Sequence, residues 1–346
     1  LVPSLVLFAG NAIAASYTVG NATATGTDAI AIGESANASG TLSMALGVDS
    51  VAQKDNSAAI GTKAKALGIE SIAIGQNANA SGILSMALGA DSVAQGIESA
   101  AIGPKAEALG NESIALGARA KAVEKNSTAL GSLSAAKKEM DLAVGYNASA
   151  SGVQSTAVGF KSQSTGLDST AIGSQSLAAG TYSTAVGHGA HAEKTSDLAA
   201  GQGASASGGQ STAVGLDSKS TGYASNAIGG QSVAAGDFST AVGNGAKAEA
   251  KSTLAAGLGA IASGEQSTAV GLDSKSTGFS SNAIGTTSLA KGYSSTAVGS
   301  GARAENAFDL AVGHIAIASG GQSTAVGFLS KSTGYASNAI GNSSLA

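Results

Sequence analysis

The chain alternates small, aliphatic and polar residues in a strict 14-residue period. Each period contains an Ala-aliphatic-Gly triplet, and its glycine recurs without insertion or deletion from Gly33 to Gly341, in 23 copies. The residue two positions before that glycine is Ala in every copy, and a second Gly follows seven residues later in 16 of the 22 complete copies. Self-similarity at a fixed period is typical of a solenoid, in which each coil buries its surface only against its neighbours.

The alternation within each half of the period predicts β-strands. In one copy, Ser211, Ala213 and Gly215 point one way, while Thr212 and Val214 point the other. Because Gly every seven residues opposes a helix, we expect two strands of about five residues per coil, joined by turns of about two residues. The predicted fold class is therefore all-β, a flattened roll of 14-residue, two-strand coils.

The repeated glycines are assigned to the turns between these strands. Glycine is the residue of choice where a turn needs a left-handed backbone or a close approach between chain segments. The turn glycines that we single out are Gly33, Gly47, Gly215, Gly222, Gly271 and Gly278.

Three kinds of row follow from the alternation. Both strands contribute a row of Ala, Ser and Gly, so we expect this row to fill an interior too thin for larger side chains. The outward row of the second strand is predicted to be polar and to face water. Its members include Asn37, Lys65, Asn79, Lys219, Lys247 and Lys275.

The outward row of the first strand is Ile, Leu or Val in 21 of the 23 copies, and it needs a partner outside the roll. Burying one such side chain is worth about 1.5–3 kcal/mol, so 21 of them represent on the order of 30–60 kcal/mol as an upper estimate. A continuous exposed row of this kind would aggregate. We therefore expect self-association of identical chains about a common axis, through Ile32, Ile60, Val158, Val214 and Val270 among others.

The N-terminal segment, LVPSLVLFAGNAIAA at residues 1–15, differs from the rest of the chain. An apolar run followed by Ala12-Ile13-Ala14 has the form of a signal-peptidase site, and we interpret residues 1–15 as the remnant of a secretory signal. A hydrophobic plug that caps the first coil is the alternative. Residues 16–28 are then a lead-in or cap, and residues 29–346 are the repeats, which stop within a copy.

Composition excludes several classes of protein. The net charge of −4, with Lys and Arg scattered along the chain, predicts no nucleic-acid partner and no direct membrane association. The absence of Cys removes disulfides, thiolate catalysis and Cys-based metal sites.

Two segments, 187–192 and 201–206, fit the dinucleotide pattern G-x-G-x-x-G/A, but a strand is predicted where that motif needs a helix. His188, His191 and Glu193 lie on a turn and an outward strand, where a solvated surface is the better interpretation than a metal site. We therefore expect no cofactor, no metal and no catalytic residue, and hence no enzyme.

Three acidic residues, Asp141, Asp197 and Asp309, replace the usual Ser at an inward position. A buried carboxylate costs several kcal/mol unless it is hydrogen-bonded or paired, to order of magnitude. Each is therefore expected to accept hydrogen bonds from turn N–H groups or to lie beside a cation.

Ten aromatic residues sit at turns after residue 145. They either pack at seams between associated chains or form a ridge for a ligand, and both interpretations stay open. Members of the ridge that we select as ligand-binding candidates are Tyr223, Phe279, Tyr293 and Tyr335.

The repeated pattern Ser-x-Ala-aliphatic-Gly-x-x-(Ala/Ser)-x-(Ala/Ser)-x-Gly resembles the YadA-like head repeat of the trimeric autotransporter adhesins, over about residues 29–346. The resemblance implies a left-handed parallel β-roll that is homotrimeric and displayed on the outer membrane of a Gram-negative bacterium. It also implies a non-enzymatic adhesin that attaches to host matrix proteins, cells or abiotic surfaces and self-agglutinates. Membrane anchoring is expected only through parts absent from this chain.

A collagen-associated pattern of that family, Asn-Ser-Val-Ala-Ile-Gly-x-x-Ser, has its nearest match at residues 126–134. Asn126 and Ser127 are thus further ligand-binding candidates, although the face assignment points most of this segment inward. The alternative function is a ligand- or ion-binding β-solenoid of the ice-binding or calcium-binding type.

Overall fold

The structure is a computed structural model that describes residues 16–346. The predicted signal remnant at residues 1–15 lies outside the described residues. The chain divides into two compact units, with the boundary between Asp168 and Ser169. Each described unit is built from short β-strands joined by turns and contains no helix, so neither offers a helix that could cross a membrane.

Each coil contributes a first strand of three residues and a second strand of two, except the last, which has only its first strand, Asn338–Ile340. In unit 1 the first strands are Tyr17–Val19, Ile30–Ile32, Met44–Leu46, Ala58–Ile60, Ile72–Ile74, Met86–Leu88, Ala100–Ile102, Ile114–Leu116, Thr128–Leu130, Leu142–Val144 and Thr156–Val158. The second strands of unit 1 are Thr23–Ala24, Asn37–Ala38, Val51–Ala52, Lys65–Ala66, Asn79–Ala80, Val93–Ala94, Glu107–Ala108, Lys121–Ala122, Ala135–Ala136, Ser149–Ala150 and Gln163–Ser164.

Unit 2 repeats the same arrangement. Its first strands are Thr170–Ile172, Thr184–Val186, Leu198–Ala200, Thr212–Val214, Asn226–Ile228, Thr240–Val242, Leu254–Ala256, Thr268–Val270, Asn282–Ile284, Thr296–Val298, Leu310–Val312, Thr324–Val326 and Asn338–Ile340. Its second strands are Leu177–Ala178, His191–Ala192, Ser205–Ala206, Lys219–Ser220, Val233–Ala234, Lys247–Ala248, Ile261–Ala262, Lys275–Ser276, Leu289–Ala290, Arg303–Ala304, Ile317–Ala318 and Lys331–Ser332.

Strands of successive coils pair in parallel, so that each residue lies opposite its equivalent in the next coil. Met44 lies opposite Ala58 in the sheet of first strands, and Lys219 lies opposite Val233 in the sheet of second strands. Within each unit, every complete coil therefore adds one strand to each of two parallel sheets. The predicted all-β fold, a parallel solenoid of 14-residue coils, is confirmed.

The segment 16–28, which the sequence analysis treats as a lead-in or cap, also pairs with the coil that follows it. Thr23–Ala24 lies parallel to Asn37–Ala38 in the regular register of the repeats. Tyr17–Val19 lies parallel to Ile30–Ile32, but the offset between these two strands is one residue shorter than in the other coils. The segment thus extends both sheets of unit 1.

The interior consists of small side chains, as predicted. The inward Ala and Ser residues of both strands, such as Ala31, Ala38 and Ser50, are fully buried. Many of the inward Ser hydroxyls donate to the carbonyl oxygen three residues earlier, as Ser71 Oγ does to Gly68 at 2.8 Å. This local bond satisfies a buried polar group without requiring a second side chain.

The strands are shorter than the five residues expected, because the turns consume more of each coil. In the turn at Gly33, both Gly33 (φ +131°) and Ser35 (φ +55°) have a positive φ. Two such residues reverse the chain within a few positions but interrupt the extended backbone.

The turn glycines meet two different constraints. Gly33, Gly47, Gly215 and Gly271 have φ between +131° and +135°, and a Cβ on Gly215 would lie 2.6 Å from the backbone of Gly229. For the second turn, a Cβ at Gly222 or Gly278 would overlap the carbonyl oxygen of the glycine one coil further on. The second class of glycine is thus required by the close stacking of coils rather than by φ.

The prediction of a uniformly polar row on the second strand was wrong. Lys65 and Lys219 are exposed, but Asn79 is half-buried, and so are the aliphatic residues that share the row. Aliphatic members, most of them β-branched, fit a pleated, half-buried surface. The half-buried Val, Leu and Ile residues of this row are Val51, Val93, Leu177, Val233, Ile261, Leu289 and Ile317.

Candidate functional site

The outer face of the first-strand sheet carries a column of aliphatic side chains immediately before the turn glycines. Ile32, Ile60 and Val158 in unit 1 are only partly buried, as are Val214 and Val270 in unit 2. Several members are more open, with Ile74 37% and Ile228 42% exposed. Stacking within one chain therefore leaves this column in contact with solvent.

A second outward column, two residues earlier on the same strands, differs between the units. In unit 1 it is mostly aliphatic, as in Ile30, Met44 and Ile72, so both columns of that face are apolar. In unit 2 it is mostly Thr or Asn, with Leu at every fourth coil. Its members there are Thr170, Thr184, Leu198, Thr212, Asn226, Thr240, Leu254, Thr268, Asn282, Thr296, Leu310, Thr324 and Asn338.

The turn aromatics stack on one another between successive coils. Phe279 and Tyr293 are parallel with ring centroids 5.4 Å apart, and Phe308 meets Tyr293 edge-on at 5.4 Å. Tyr146 and Phe160 form a comparable stacked pair at 5.6 Å. Phe279 and Tyr293, like Tyr146 and Phe160, are one 14-residue period apart, and this spacing is the sequence signal for their stacking.

Tyr223 and Tyr335 each lie over a glycine of the preceding coil. Atom Cδ2 of Tyr223 is 3.7 Å from the place where a Cβ of Gly209 would be, and Tyr335 has the same relation to Gly321. Tyr223 also meets Phe238 edge-on, with centroids 5.7 Å apart. An aromatic ring that packs over a glycine shields the backbone beneath it from solvent.

The collagen-like segment is only partly accessible. Asn126 is half-buried at a turn with φ +56°, while Ser127 is fully buried and donates its hydroxyl to Glu124 O at 2.6 Å. Thr128 and Leu130 are the outward residues of the strand that follows. A ligand could reach Asn126 but not the side chain of Ser127 without local opening.

The three buried carboxylates are held by hydrogen bonds, as the sequence analysis expected. Asp197 accepts from the backbone N–H of Lys194 (2.8 Å), Gly209 (2.9 Å) and Ser211 (2.9 Å), and from Ser211 Oγ (2.7 Å). The equivalent four donors surround Asp309 at 2.8–3.0 Å. Four donors to one carboxylate explain how these charges lie within the roll.

Asp141 has a different environment. It accepts from Lys138 N at 2.8 Å and from Ser155 N and Oγ at 2.9 and 2.8 Å. Burial raises the pKa of Asp141, and the hydrogen bonds from Ser155, Lys138 and Lys137 only partly oppose that effect.

The described residues contain no group of three or more His, Asp or Glu side chains that could hold a metal ion. His188 is exposed at a turn, and His191 is half-buried on the neighbouring second strand. The chemistry that this surface offers is therefore apolar contact, aromatic contact and charge.

Comparison with known proteins matches this chain to a family model and to a solved structure. The family model for the YadA head domain repeat matches residues 20–36, 24–50, 38–64, 52–78, 66–92, 80–106, 108–134, 136–162, 164–190, 192–218, 220–246, 248–274, 276–302 and 304–330. The crystal structure of the collagen-binding domain of the Yersinia adhesin YadA is 33% identical, with a TM-score of 0.32. That match covers 34% of this chain and 65% of the solved chain, so the match spans slightly less than two thirds of its relative. No curated protein sequence matches this chain.

Proposed function

From the premise that this chain belongs to the family of the YadA head domain repeat, and so has an adhesin-type function, we propose that it is the homotrimeric head of a bacterial surface adhesin. The head is displayed at the outer membrane, attaches to host matrix proteins, cells or abiotic surfaces, and mediates self-agglutination. Its role is structural and adhesive rather than enzymatic.

One observation supports self-association: the aliphatic column of the first-strand sheet is partly solvent-exposed in a single chain. The number of three comes from the family resemblance. Its contacts along the column come from the strands above and below, which leave the outward ends of the side chains open. Aliphatic surface that is removed from water on association contributes roughly 25 cal/mol per Å² of favourable free energy. Three identical chains that face one another across a common axis would cover all of these columns at once.

The turn edges and the second-strand face remain open in such an assembly. We assign ligand contact to the turn aromatics, with Phe279 and Tyr293 foremost because Tyr223 and Tyr335 already cover glycines. Asn126 is the accessible part of the collagen-like segment. Collagen is the ligand named for the Yersinia domain, so it is the first matrix protein to test.

Solution mass tests the trimer. Light scattering of the chain is expected to give three times the chain mass of 32.7 kDa. Substituting Asp for Val214, Ile228 and Val242 together is expected to give monomers. At each of these three coils, carboxylates from all three chains would then face one another at the axis. The matched control places Asp at Val233, Ile261 and Leu289, on the other sheet, and should stay trimeric. A soluble wild-type monomer, or dissociation of the control alone, would overturn this assignment.

Binding to immobilised collagen and fibronectin tests the adhesive contact. We expect Phe279→Ala with Tyr293→Ala to weaken binding while the solution mass stays unchanged. Tyr146→Ala with Phe160→Ala, which removes a similar stack in unit 1, is the comparison. Unchanged binding in an intact trimer would remove the aromatics of unit 2 from the contact surface.

A further inference from the structure

The second-strand face of unit 2 carries a regular column of charge. Over ten consecutive coils, the outward residue alternates between a cation and an aliphatic residue without exception. The column is Lys219, Val233, Lys247, Ile261, Lys275, Leu289, Arg303, Ile317, Lys331 and Leu345. We call these ten residues the cation ladder.

The pairing of the strands makes the ladder continuous in space. Lys219 lies opposite Val233, which lies opposite Lys247, and the same register continues to the bridge between Lys331 and Leu345. Successive parallel strands are about 4.8 Å apart, so the cations recur at about 10 Å over a length of about 40 Å.

The cations are exposed and mostly unpaired. All five are exposed, whereas four of the five aliphatic residues between them are half-buried. Among the residues that the structure describes, only Arg303 of the ladder has a carboxylate within 4.0 Å, with Nη2 at 2.8 Å from Glu305. The four lysines thus keep their charge available for a ligand.

Acidic residues flank the ladder but are not part of it. Asp217 and Asp273 belong to the preceding turns, and their carboxylates lie over Gly203 and Gly259 of the coils before. The positions two residues after the ladder hold Glu in two coils and Lys in one, at Glu249, Glu305 and Lys291. Regular positive charge is therefore confined to the line of the ladder rather than spread over the face.

Unit 1 lacks this arrangement. The same column there is Thr23, Asn37, Val51, Lys65, Asn79, Val93, Glu107, Lys121, Ala135, Ser149 and Gln163. Its two cations are four coils apart, and Lys121 is paired with Glu107 at 2.6 Å. The ladder is a property of unit 2 and not a requirement of the coil.

We propose that the cation ladder binds a linear sulfated polysaccharide laid along it. A straight row of five charges at equal intervals fits a ligand whose anionic groups recur at equal intervals, and a polymer of disaccharides has that regularity by its synthesis. Each contact is weak, and repetition sums the contacts through effective concentration. The half-buried aliphatic residues meet the apolar faces of the sugar rings between the charges.

Nucleic acid fits this face less well. Duplex DNA carries a phosphate every 3.4 Å per strand, and single strands bind through stacking on aromatic rings. The ladder spaces its charges about three times more widely by the same estimate of strand separation. It also contains no aromatic residue.

The inference rests on the proposed adhesive function, since it names a ligand class for that surface. The probe is a series of heparin oligosaccharides, measured on the immobilised trimer by surface plasmon resonance. Affinity is expected to rise with chain length until the oligosaccharide spans the ladder, to fall with added salt, and to be lost on desulfation.

Two sets of variants locate the site. Replacing Lys219, Lys247, Lys275 and Lys331 with Gln is expected to weaken binding about tenfold or more, because several summed contacts are lost. The control, Gln at Lys54, Lys105, Lys194 and Lys251, makes the same change in net charge at exposed turn residues and should change affinity less than about twofold by comparison. Equal losses in both variants would show that net charge alone attracts the polymer and would overturn the proposal.

A composition-preserving swap tests the spacing. Lys247→Ile with Ile261→Lys, combined with Lys275→Leu and Leu289→Lys, keeps every residue type but breaks the interval of two coils. Weaker binding of long oligosaccharides is expected, and unchanged binding would overturn the regular ladder as the site. Tighter binding of duplex DNA than of heparin by the wild type would assign the face to nucleic acid instead.

An error in the ligand proposed for the cation ladder can be distinguished from an error in the proposed adhesive function. If heparin does not bind while the trimer still adheres to matrix proteins, only the ligand class proposed here is wrong. If adhesion is also absent in a chain of trimeric mass, the proposed function itself is wrong.

Discussion

Two buried carboxylates in equivalent places, Asp141 in unit 1 and Asp197 in unit 2, have different surroundings. Both accept from the N–H three residues earlier and from the Ser one coil later. Asp197, unlike Asp141, also accepts from the N–H of Gly209, in a turn where φ is +86°. In unit 1 the corresponding turn residue is Val153, whose φ is not positive.

The difference shows that this roll can hold a buried carboxylate with two different sets of hydrogen-bond donors. At Asp141 the fold supplies only the donors that the coil already has, and burial raises the pKa of the carboxyl. At Asp197 a glycine lets the turn direct one more N–H toward the carboxylate, and the ring of Tyr223 lies over that glycine. The second arrangement recurs at Asp309, Gly321 and Tyr335.

The largest effect is expected from Gly209→Val, which gives Asp197 the turn residue that Asp141 has. A non-glycine residue at this φ costs about 1–3 kcal/mol, and a turn that relaxes withdraws a hydrogen bond from a buried charge at about 1–3 kcal/mol more. Urea unfolding at a fixed protein concentration should show a loss of about 3 kcal/mol, which lies within the combined range of these two costs. The reverse change, Val153→Gly, should cost no more than about 1 kcal/mol. Equal losses at both positions would contradict the difference between the two turns.

A middle-sized effect is expected when each carboxylate is replaced by the Ser that most coils carry. Asp197→Ser leaves the N–H of Gly209 without its acceptor and should lower the unfolding free energy by about 1–3 kcal/mol. Asp141→Ser leaves no such extra turn N–H without an acceptor and should lower the unfolding free energy by less than Asp197→Ser does. The same urea titration measures both variants. If Asp141→Ser were the more damaging, the extra donor at Asp197 would not matter to stability.

The smallest effect is the pH dependence at Asp141. Because burial raises the folded-state pKa above the ordinary value of 3.8, the folded state holds this proton more tightly than the unfolded state. The contribution of Asp141 to stability is therefore greatest below the ordinary pKa and is lost as the pH rises through the folded pKa. The stability of the wild type relative to Asp141→Ser should fall over that window in urea titrations. A constant difference between them would show that burial does not perturb this carboxyl.

Much of the fold could be predicted because the period is strict. The alternation around Gly215 identified Ala213 as inward and Val214 as outward, and the small residues left only one interior. The predicted strands were too long because turn residues such as Ser35 have a positive φ. Many different residue types occupy that turn position, so the sequence does not reveal it.

The site was predicted less completely. The polar interpretation of the second strand considered Lys219 and Lys247 but not Val233 between them, so the alternation was missed. The turn at Gly209 had a usable signal, since the sequence interval from Asp197 to Gly209 is the same as that from Asp309 to Gly321. The number of chains around the aliphatic column depends on contacts between chains, which neither the period nor one chain contains.

The identical segments at 210–222 and 266–278 have a consequence for inheritance. The offset between them is four whole coils, which is also two whole intervals of the cation ladder. Unequal recombination between gene segments that encode them would delete or duplicate four coils and join the remainder in phase. A gain or loss of these four coils in unit 2 would therefore leave its core, its turns and its row of charges continuous.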